Sequence, residues 1–505
     1  MPKGMLIRWL WIPALIRLLA FSFLVLRYPS DRDSLKVYFH AGPNVFELFR
    51  TFDHFRNDPD VRKYDAVKFL VKSMDQHHYI ESSYGDKKVE WFSEHFERVE
   101  SRLTEIEDSL ETALKDPGTG AGPKKIRDAR GISSEFLITH INQAFENWDT
   151  SRWCRHLTFE QFCEFMLPYK PWESKPELWL DYYSKIYGKI NSSLPDTTPI
   201  LERLYMLKDT ADAWSKGRFL TLGRKMTPIE MQQVRSGDCY YDAAWMRLIG
   251  LSLGMPVSMI YTPNEANASG MHYWNAYLDE NGDWREFMDR MRISIVTWSI
   301  VAPKVFLRYW GKREESFRSI AEGQGLKSRD IPDCLSPWTA VDITGSIIPC
   351  TDVEVEITLP DTSDPPFVYL AVYDDRVWDP VHWAIPEHGK ALFTGMGHQA
   401  LYLPVHYTSG YSSPAGDLFI LDFNGEIHYP MPDTALTVNF LVDRVYPIKG
   451  YLMNNHSKDL IGSRIEGSND SLFSQFDTLV YIVDVPKIPR ESNPELKYVH
   501  TYEQW

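Results

Sequence analysis

Five cysteines are spread through the chain, at Cys154, Cys163, Cys239, Cys334 and Cys350, and one sits where a thiol becomes reactive. Ser236-Gly-Asp-Cys239 precedes the run Tyr-Tyr-Asp-Ala-Ala-Trp-Met-Arg-Leu-Ile-Gly-Leu251. Ala243, Ala244, Arg247, Leu248 and Leu251 follow helical spacing, and Gly254 with Pro256 marks the stop. Asp238 is then the N-cap, and Cys239 lies in the first turn. Unpaired amide N–H groups and the positive end of the helix dipole favour a thiolate there and lower the thiol pKa. A thiolate attacks acyl carbons. It works best beside an imidazole that takes its proton and a carboxylate that holds the imidazole.

The elements that would position those partners follow in the chain. His272-Tyr-Trp-Asn-Ala-Tyr-Leu-Asp279 reads as a strand, Asn281-Gly282 as a two-residue turn, and Trp284-Arg-Glu-Phe-Met-Asp289 as the return strand. That turn predicts Glu280 opposite Asp283 and Trp274 opposite Asp289. Alternation then puts His272, Trp274 and Asp289 on one face, with Glu286 opposite Tyr277 on the other. Asp289, rather than Glu286, is thus the carboxylate expected to orient His272. A β-bulge would reverse that choice.

Cys, His and Asp in this order, with Arg247-Leu-Ile-Gly-Leu and Gly-Met-Pro256 after the Cys and His-x-Trp-Asn275 later, resemble the transglutaminase-like cysteine superfamily. The resemblance implies a papain-like α+β core, a Cys helix packed on an antiparallel sheet that carries His and Asp. It implies catalytic Cys239, His272 and Asp289, and an acyl-enzyme formed on peptide or carboxamide carbonyls. Asp289 follows Trp284 by five residues where the family usually has four. Gln233, six residues before Cys239, stands where papain-like enzymes often place an oxyanion side chain, and Gln232 would serve as well by composition. The Cys239 backbone N–H is the other oxyanion donor. Trp274, Tyr240, Tyr241 and Trp245 are candidates to wall an acyl slot, against the plainer reading of core aromatics. Ala41-Gly-Pro-Asn-Val-Phe-Glu-Leu48, Ala66–Met74 and Phe159–Tyr169 look like the helical region of large transglutaminase-domain proteins of Bacteroidetes-type bacteria. Tyr369–Trp383 and Ala400–Tyr407 are similar to the β-region that follows there. Ile465–Phe473 and Tyr481-Ile-Val resemble the start of a discoidin-like galactose-binding module.

The expected organisation is α+β and multidomain. Residues 1–27 form a signal peptide or membrane anchor, from Lys3 and Arg8 and the short apolar stretch Leu18–Leu26. Residues 35–200 are a helical N-terminal domain, 201–315 the transglutaminase-like core, 340–445 an antiparallel β-sandwich, and 446–505 a partial discoidin-like β segment. Within the helical part, Asn44 caps a helix through Phe55, and Phe92 to Leu110 form a heptad seam. Period-two runs begin at Val353, Val355 and Ile357 and continue to Leu436–Leu441.

Composition narrows the functions. The 505 residues carry 54 Lys and Arg against 69 Asp and Glu, a net charge of −15, which disfavours nucleic acid as a partner. Aromatics at 14% argue for large cores. No CxxC pair suggests zinc, and no cofactor motif appears, so neither metal nor cofactor is expected. His77-His78 reads as a solvated loop rather than a metal pair. His382, His388, His398 and His406 are scattered, and Asp374, Asp375 and Asp379 read as turn residues or chance neighbours. Cys154 and Cys163 read as buried thiols. The expected partner is a peptide or protein substrate outside the cytoplasm, with membrane contact only through the N-terminal segment. A second class of reading is a non-catalytic surface protein that binds glycans or peptides through the C-terminal β-region and keeps a relict triad.

Overall fold

The computed structural model describes residues 27–95, 122–214, 224–235, 237–267, 270–287, 300–358, 367–374, 377–430, 464–467 and 477–481. The N-terminal segment, most of the heptad seam, Asp375 and the strand expected at Leu436–Leu441 lie outside these residues. No described helix is long and apolar enough to cross a membrane.

The N-terminal part is helical: α1 Arg32–Ala41, α2 Val45–Phe55, α3 Val61–Ser73, α4 Ser83–His95 and α5 Ser134–Thr150. α2 begins after Asn44 as expected, but the Asn44 amide donates to the Ala129 and Ile132 carbonyls rather than capping its own helix. A short antiparallel ladder, β1 His78–Glu81 with β2 Lys124–Arg127, is inserted among these helices. Helices α6 Leu180–Ser193, α7 Ile200–Trp214, α8 Pro228–Val234 and α9 Cys239–Ser252 lead into the mixed region.

α9 is apolar on nearly every side, and every residue from Tyr240 to Ser252 except Asp242 is buried. A helix of that kind must be enclosed by other elements. It lies against a five-stranded antiparallel sheet ordered β5-β4-β3-β6-β7, made of β3 Val257–Thr262, β4 His272–Leu278, β5 Trp284–Phe287, β6 Phe306–Arg308 and β7 Ala340–Asp342. One continuous apolar core runs from Tyr28 in the helical part to Trp310 just after β6. The helical and mixed regions therefore share a core.

The C-terminal region is antiparallel and strand-rich. β8 Cys350–Glu356 pairs with β11 Lys390–Gly397. A six-stranded sheet holds β9 Val368–Asp374, β10 Val377–Ala384, β12 Ala400–Thr408, β13 Tyr411–Pro414, β14 Phe419–Leu421 and β15 Ile427–His428. The two sheets close on one core that includes Val353, Val355, Phe393, Leu370, Val372 and Tyr402. A third cluster joins Tyr261 and Phe306 to Phe317, Phe367 and Tyr369, so the β-region is packed onto the mixed sheet. A separate unit contains the two-stranded ladder β16 Arg464–Gly467 with β17 Asp477–Tyr481, in the segment expected to be discoidin-like.

His77 is no solvated loop residue. It is buried, stacks on Trp310 with ring centroids 3.6 Å apart, and donates from Nε2 to the Trp310 carbonyl at 2.9 Å. His140 is likewise buried and donates to the Leu167 carbonyl at 2.9 Å; burial pushes its pKa down to about 4. His382 is driven down to about 3 by burial and then Lys304. These rings are neutral when folded, whereas in the unfolded chain they take a proton below about pH 6.5. Their contribution to stability is complete above that pH and is lost as pH falls toward 4. The urea midpoint is expected to drop between pH 7 and pH 5, and less steeply in His140→Gln. Equal slopes for the two proteins would remove His140 from this account.

Candidate active site

Asp238 caps α9, its carboxylate accepting from the Tyr241 N–H at 3.2 Å, so Cys239 is the first helical residue, as the spacing predicts. Gly254 ends the helix at φ 68°, with Met255 N–H donating to the Gly250 carbonyl at 2.9 Å. The glycine before the cap is required by contact. A Cβ on Gly237 would stand 2.5 Å from the Tyr241 side chain, and Tyr241 is buried. Gly237→Ala is expected to shift the turn and cost about 1–3 kcal/mol. The readouts are thermal melting and slower alkylation of Cys239, and a wild-type result in both would show that the loop has slack.

The thiol is partly exposed. Sγ lies 4.0 Å from the carbonyl oxygen of Met271, the residue before His272. Asn275, on the alternate face of β4, donates to the Ala243 carbonyl of α9 at 2.8 Å. Tyr273, Asn275 and Tyr277 thus face α9, while His272, Trp274 and Ala276 alternate to the other side. The Met271 contact sets the thiol at the start of β4, beside the residue that precedes His272. His272 is buried, and its ring packs on Trp274 with centroids 5.8 Å apart.

The register differs from the expectation by one residue. Tyr277 pairs with Arg285, Ala276 with Glu286 and Asn275 with Phe287. The turn is the cause. Asp279 N–H donates to the Asp283 carbonyl, and Gly282 N–H to the Asp279 carbonyl, closing a three-residue loop with Gly282 at φ 84°. Asp279 Oδ1 also accepts from the Asn281 and Asp283 N–H groups at 2.9 Å, which holds Asn281 out of the positive-φ conformation a two-residue turn needs. The expected placement of Glu286 opposite Tyr277 is therefore wrong. Glu286 lies opposite Ala276, on the face of His272 and Trp274. Burial raises its carboxyl pKa, and the Trp274 indole lies nearby without reaching hydrogen-bond geometry. In that register parity no longer puts position 289 on the face of His272; Asp289 itself lies outside the described residues.

Among the described residues, the carboxylate paired with the imidazole is one that no sequence pattern marked. Glu265 Oε1 is 3.4 Å from His272 Nδ1, and both side chains are largely buried. Glu265 belongs to the β3–β4 loop, which is tied to the β-region: Asn264 Nδ2 donates to Asp379 at 3.1 Å, and Gly270 N–H to Asp374 at 3.2 Å. No periodicity marks such a loop residue. Its one sequence signal is lying between a strand and the candidate His.

The other site candidates are buried or exposed as follows. Gln233 is exposed, whereas Gln232 is buried, its Oε1 accepting from Tyr187 OH at 2.7 Å and Trp245 Nε1 at 2.9 Å. The Gln232 Nε2 group makes no hydrogen bond with a described residue. Trp245 is thereby anchored in the core at the middle of α9, and Trp274 is buried beside His272. Tyr240 is buried against Tyr273 and Tyr241 next to the thiol. Cys154 and Cys163 are buried, as expected, and burial raises both thiols, Cys154 to about 12.

Among the described residues, Asp422, Glu426 and His428 are the group whose ligand atoms converge, within 4.8 Å. Asp422 is committed locally: it accepts from the Asn424 and Glu426 N–H groups at 2.8 Å and pairs with His428 at 2.9 Å. His398 and His406 bond Thr351 and the Thr358 carbonyl instead.

Comparison with family models, curated proteins and solved structures finds no match for this chain.

Proposed function

We propose that the chain is an exported transglutaminase-like cysteine enzyme whose α+β core is papain-like. The observation that carries this reading is a helix-start thiol, capped by Asp238, 4.0 Å from the carbonyl preceding a buried His272 that has its own carboxylate partner. In the proposed reaction Cys239 loses its proton to His272 and its sulfur adds to a peptide or carboxamide carbonyl. The oxyanion is held by the Cys239 N–H. The amine leaves with the proton from the imidazolium, which leaves a thioester. Water or a second amine then adds to that carbonyl, gives its proton to His272, and releases the thiolate with the acyl product. Hydrolysis and amine transfer use the same groups. Glu265 supplies the orienting carboxylate among the described residues; Asp289 keeps that role only through the family resemblance.

The test is alkylation. At pH 6, Cys239 is expected to react with iodoacetamide roughly a hundred times faster than an unstructured peptide thiol. Reaction at the peptide rate would sink the enzyme reading and favour a surface-binding protein with a relict triad.

A further inference from the structure

The surroundings of Cys239 hold more positive charge than activating a thiol needs. Tyr240, the next residue, carries the Lys225 ammonium 4.0 Å from its ring centroid. The Arg308 guanidinium lies 4.3 Å from the Trp172 ring, whose centroid is 6.4 Å from that of Tyr240 and 6.1 Å from that of Tyr273. Arg247, two turns along α9 from Cys239, is only 7% exposed and also faces Tyr240. Among the described residues none of these three cations has an ion pair, and Arg247 makes no hydrogen bond. Burial without a partner pushes the Arg247 pKa down to about 10.

Buried polar atoms in the same place also lack partners. Tyr240 OH, Tyr261 OH and Arg308 Nε make no hydrogen bond with a described residue, although Tyr240 and Tyr261 are 5% and 2% exposed. Such groups normally find a partner, because an unsatisfied buried donor costs about 1–3 kcal/mol. Glu173 is the one carboxylate that both Tyr240 and Tyr273 sense. Against it stand Lys225, Arg308 and Arg247, while the positive end of α9 is already met by its Asp238 cap.

We infer that this compartment binds a carboxylate carried by the acyl group that Cys239 attacks, with Arg308 and Lys225 as its ligands and Tyr240 as a hydrogen-bond donor. The inference takes Cys239 as the acyl-accepting thiol of the proposed reaction and adds the class of acyl donor: one with an acidic side chain or a free chain terminus near the scissile carbonyl. Arg308 is well suited because its planar fork is already oriented by Trp172 and matches a carboxylate bidentately.

The experiment compares two reagents on one thiol. Cys239 in the full chain is alkylated at low salt with iodoacetate and with iodoacetamide, the adduct is read by peptide mass spectrometry, and the rate ratio is divided by that of a free cysteine peptide. A normalised ratio of about ten is expected, falling several-fold in Arg308→Gln and in Lys225→Gln and with added salt. A ratio of one, or one unmoved by either substitution, overturns the inference. Because the ratio cancels the thiolate fraction, a slow thiol with a high ratio would keep the anion site and reject the enzyme. Protection of Cys239 from iodoacetamide separates the two carboxylate sources. N-acetylglutamate diamide's acidic counterpart, N-acetylglutamic acid α-amide, protects if a side chain is read, and N-acetyldialanine protects if a terminus is read. Failure of both overturns the assignment of acyl donor.

Discussion

His272→Ala is expected to slow carbamidomethylation of Cys239 at pH 6 by about a hundredfold, the size of effect that loss of a positioned base or ion-pair partner produces. In the wild-type chain the helix start and the imidazolium both favour the thiolate, so the rate should stay nearly flat from pH 8 down to about 6. Without the imidazole the rate should fall about tenfold per pH unit below the ordinary thiol range near 8.5. Glu265→Gln keeps the shape of the side chain that lies 3.4 Å from His272 Nδ1 but removes its charge, and is expected to slow labelling about tenfold. Asp289→Asn is the companion variant. If Asp289→Asn slows labelling and Glu265→Gln does not, the orienting carboxylate is Asp289. Labelling of His272→Ala at the wild-type rate would remove His272 from the site.

The largest stability effect is expected at Asp128. Its side chain and that of Lys170 are both fully buried, 2.7 Å apart, and Asp128 accepts a second bond from Tyr169 OH at 2.7 Å. Lys170 also donates to the His78 carbonyl at 3.0 Å. Burial lowers the Lys170 pKa, and Asp128 opposes that shift. Asp128→Ala would leave a buried ammonium and a phenol without their acceptor, at a cost of about 3–5 kcal/mol. The double change Asp128→Leu with Lys170→Met removes both charges and is expected to recover most of that loss. Thermal melting of the full chain reads both. An unchanged melt in Asp128→Ala would mean that water reaches the pair. The site should feel this cluster, since the chain runs directly from Tyr169 and Lys170 to Trp172, whose ring packs near Tyr240 and Tyr273.

Much of the frame was legible locally. Asp238 as cap, Cys239 in the first turn, Gly254 at the stop, the helices between Arg32 and Trp214 and the described strand runs from Val353 to Leu421 all rest on interactions within a few residues. Helix periodicity and capping are short-range physics, and the structure agrees with them. The hairpin was legible only in part. The first strand forms where expected and the second over its described part, Trp284–Phe287, yet Asp279 turned its carboxylate onto two backbone N–H groups and made a three-residue loop. One residue of slip moved Glu286 to the His272 face, since strand side chains alternate with period two.

The rest depended on segments far apart in the chain. Glu265 reaches His272 because its loop is tied to Asp374 and Asp379 in the β-region, over 100 residues later. Trp172, Lys225 and Arg308 meet around Tyr240 because α9 is enclosed on nearly every side. The sequence by itself determined the thiol, its helix and the imidazole candidate, which need only their neighbours. Tertiary structure decided which described carboxylate lies beside the imidazole and where cations without a described ion pair gather, because both follow from long-range packing that no local pattern encodes.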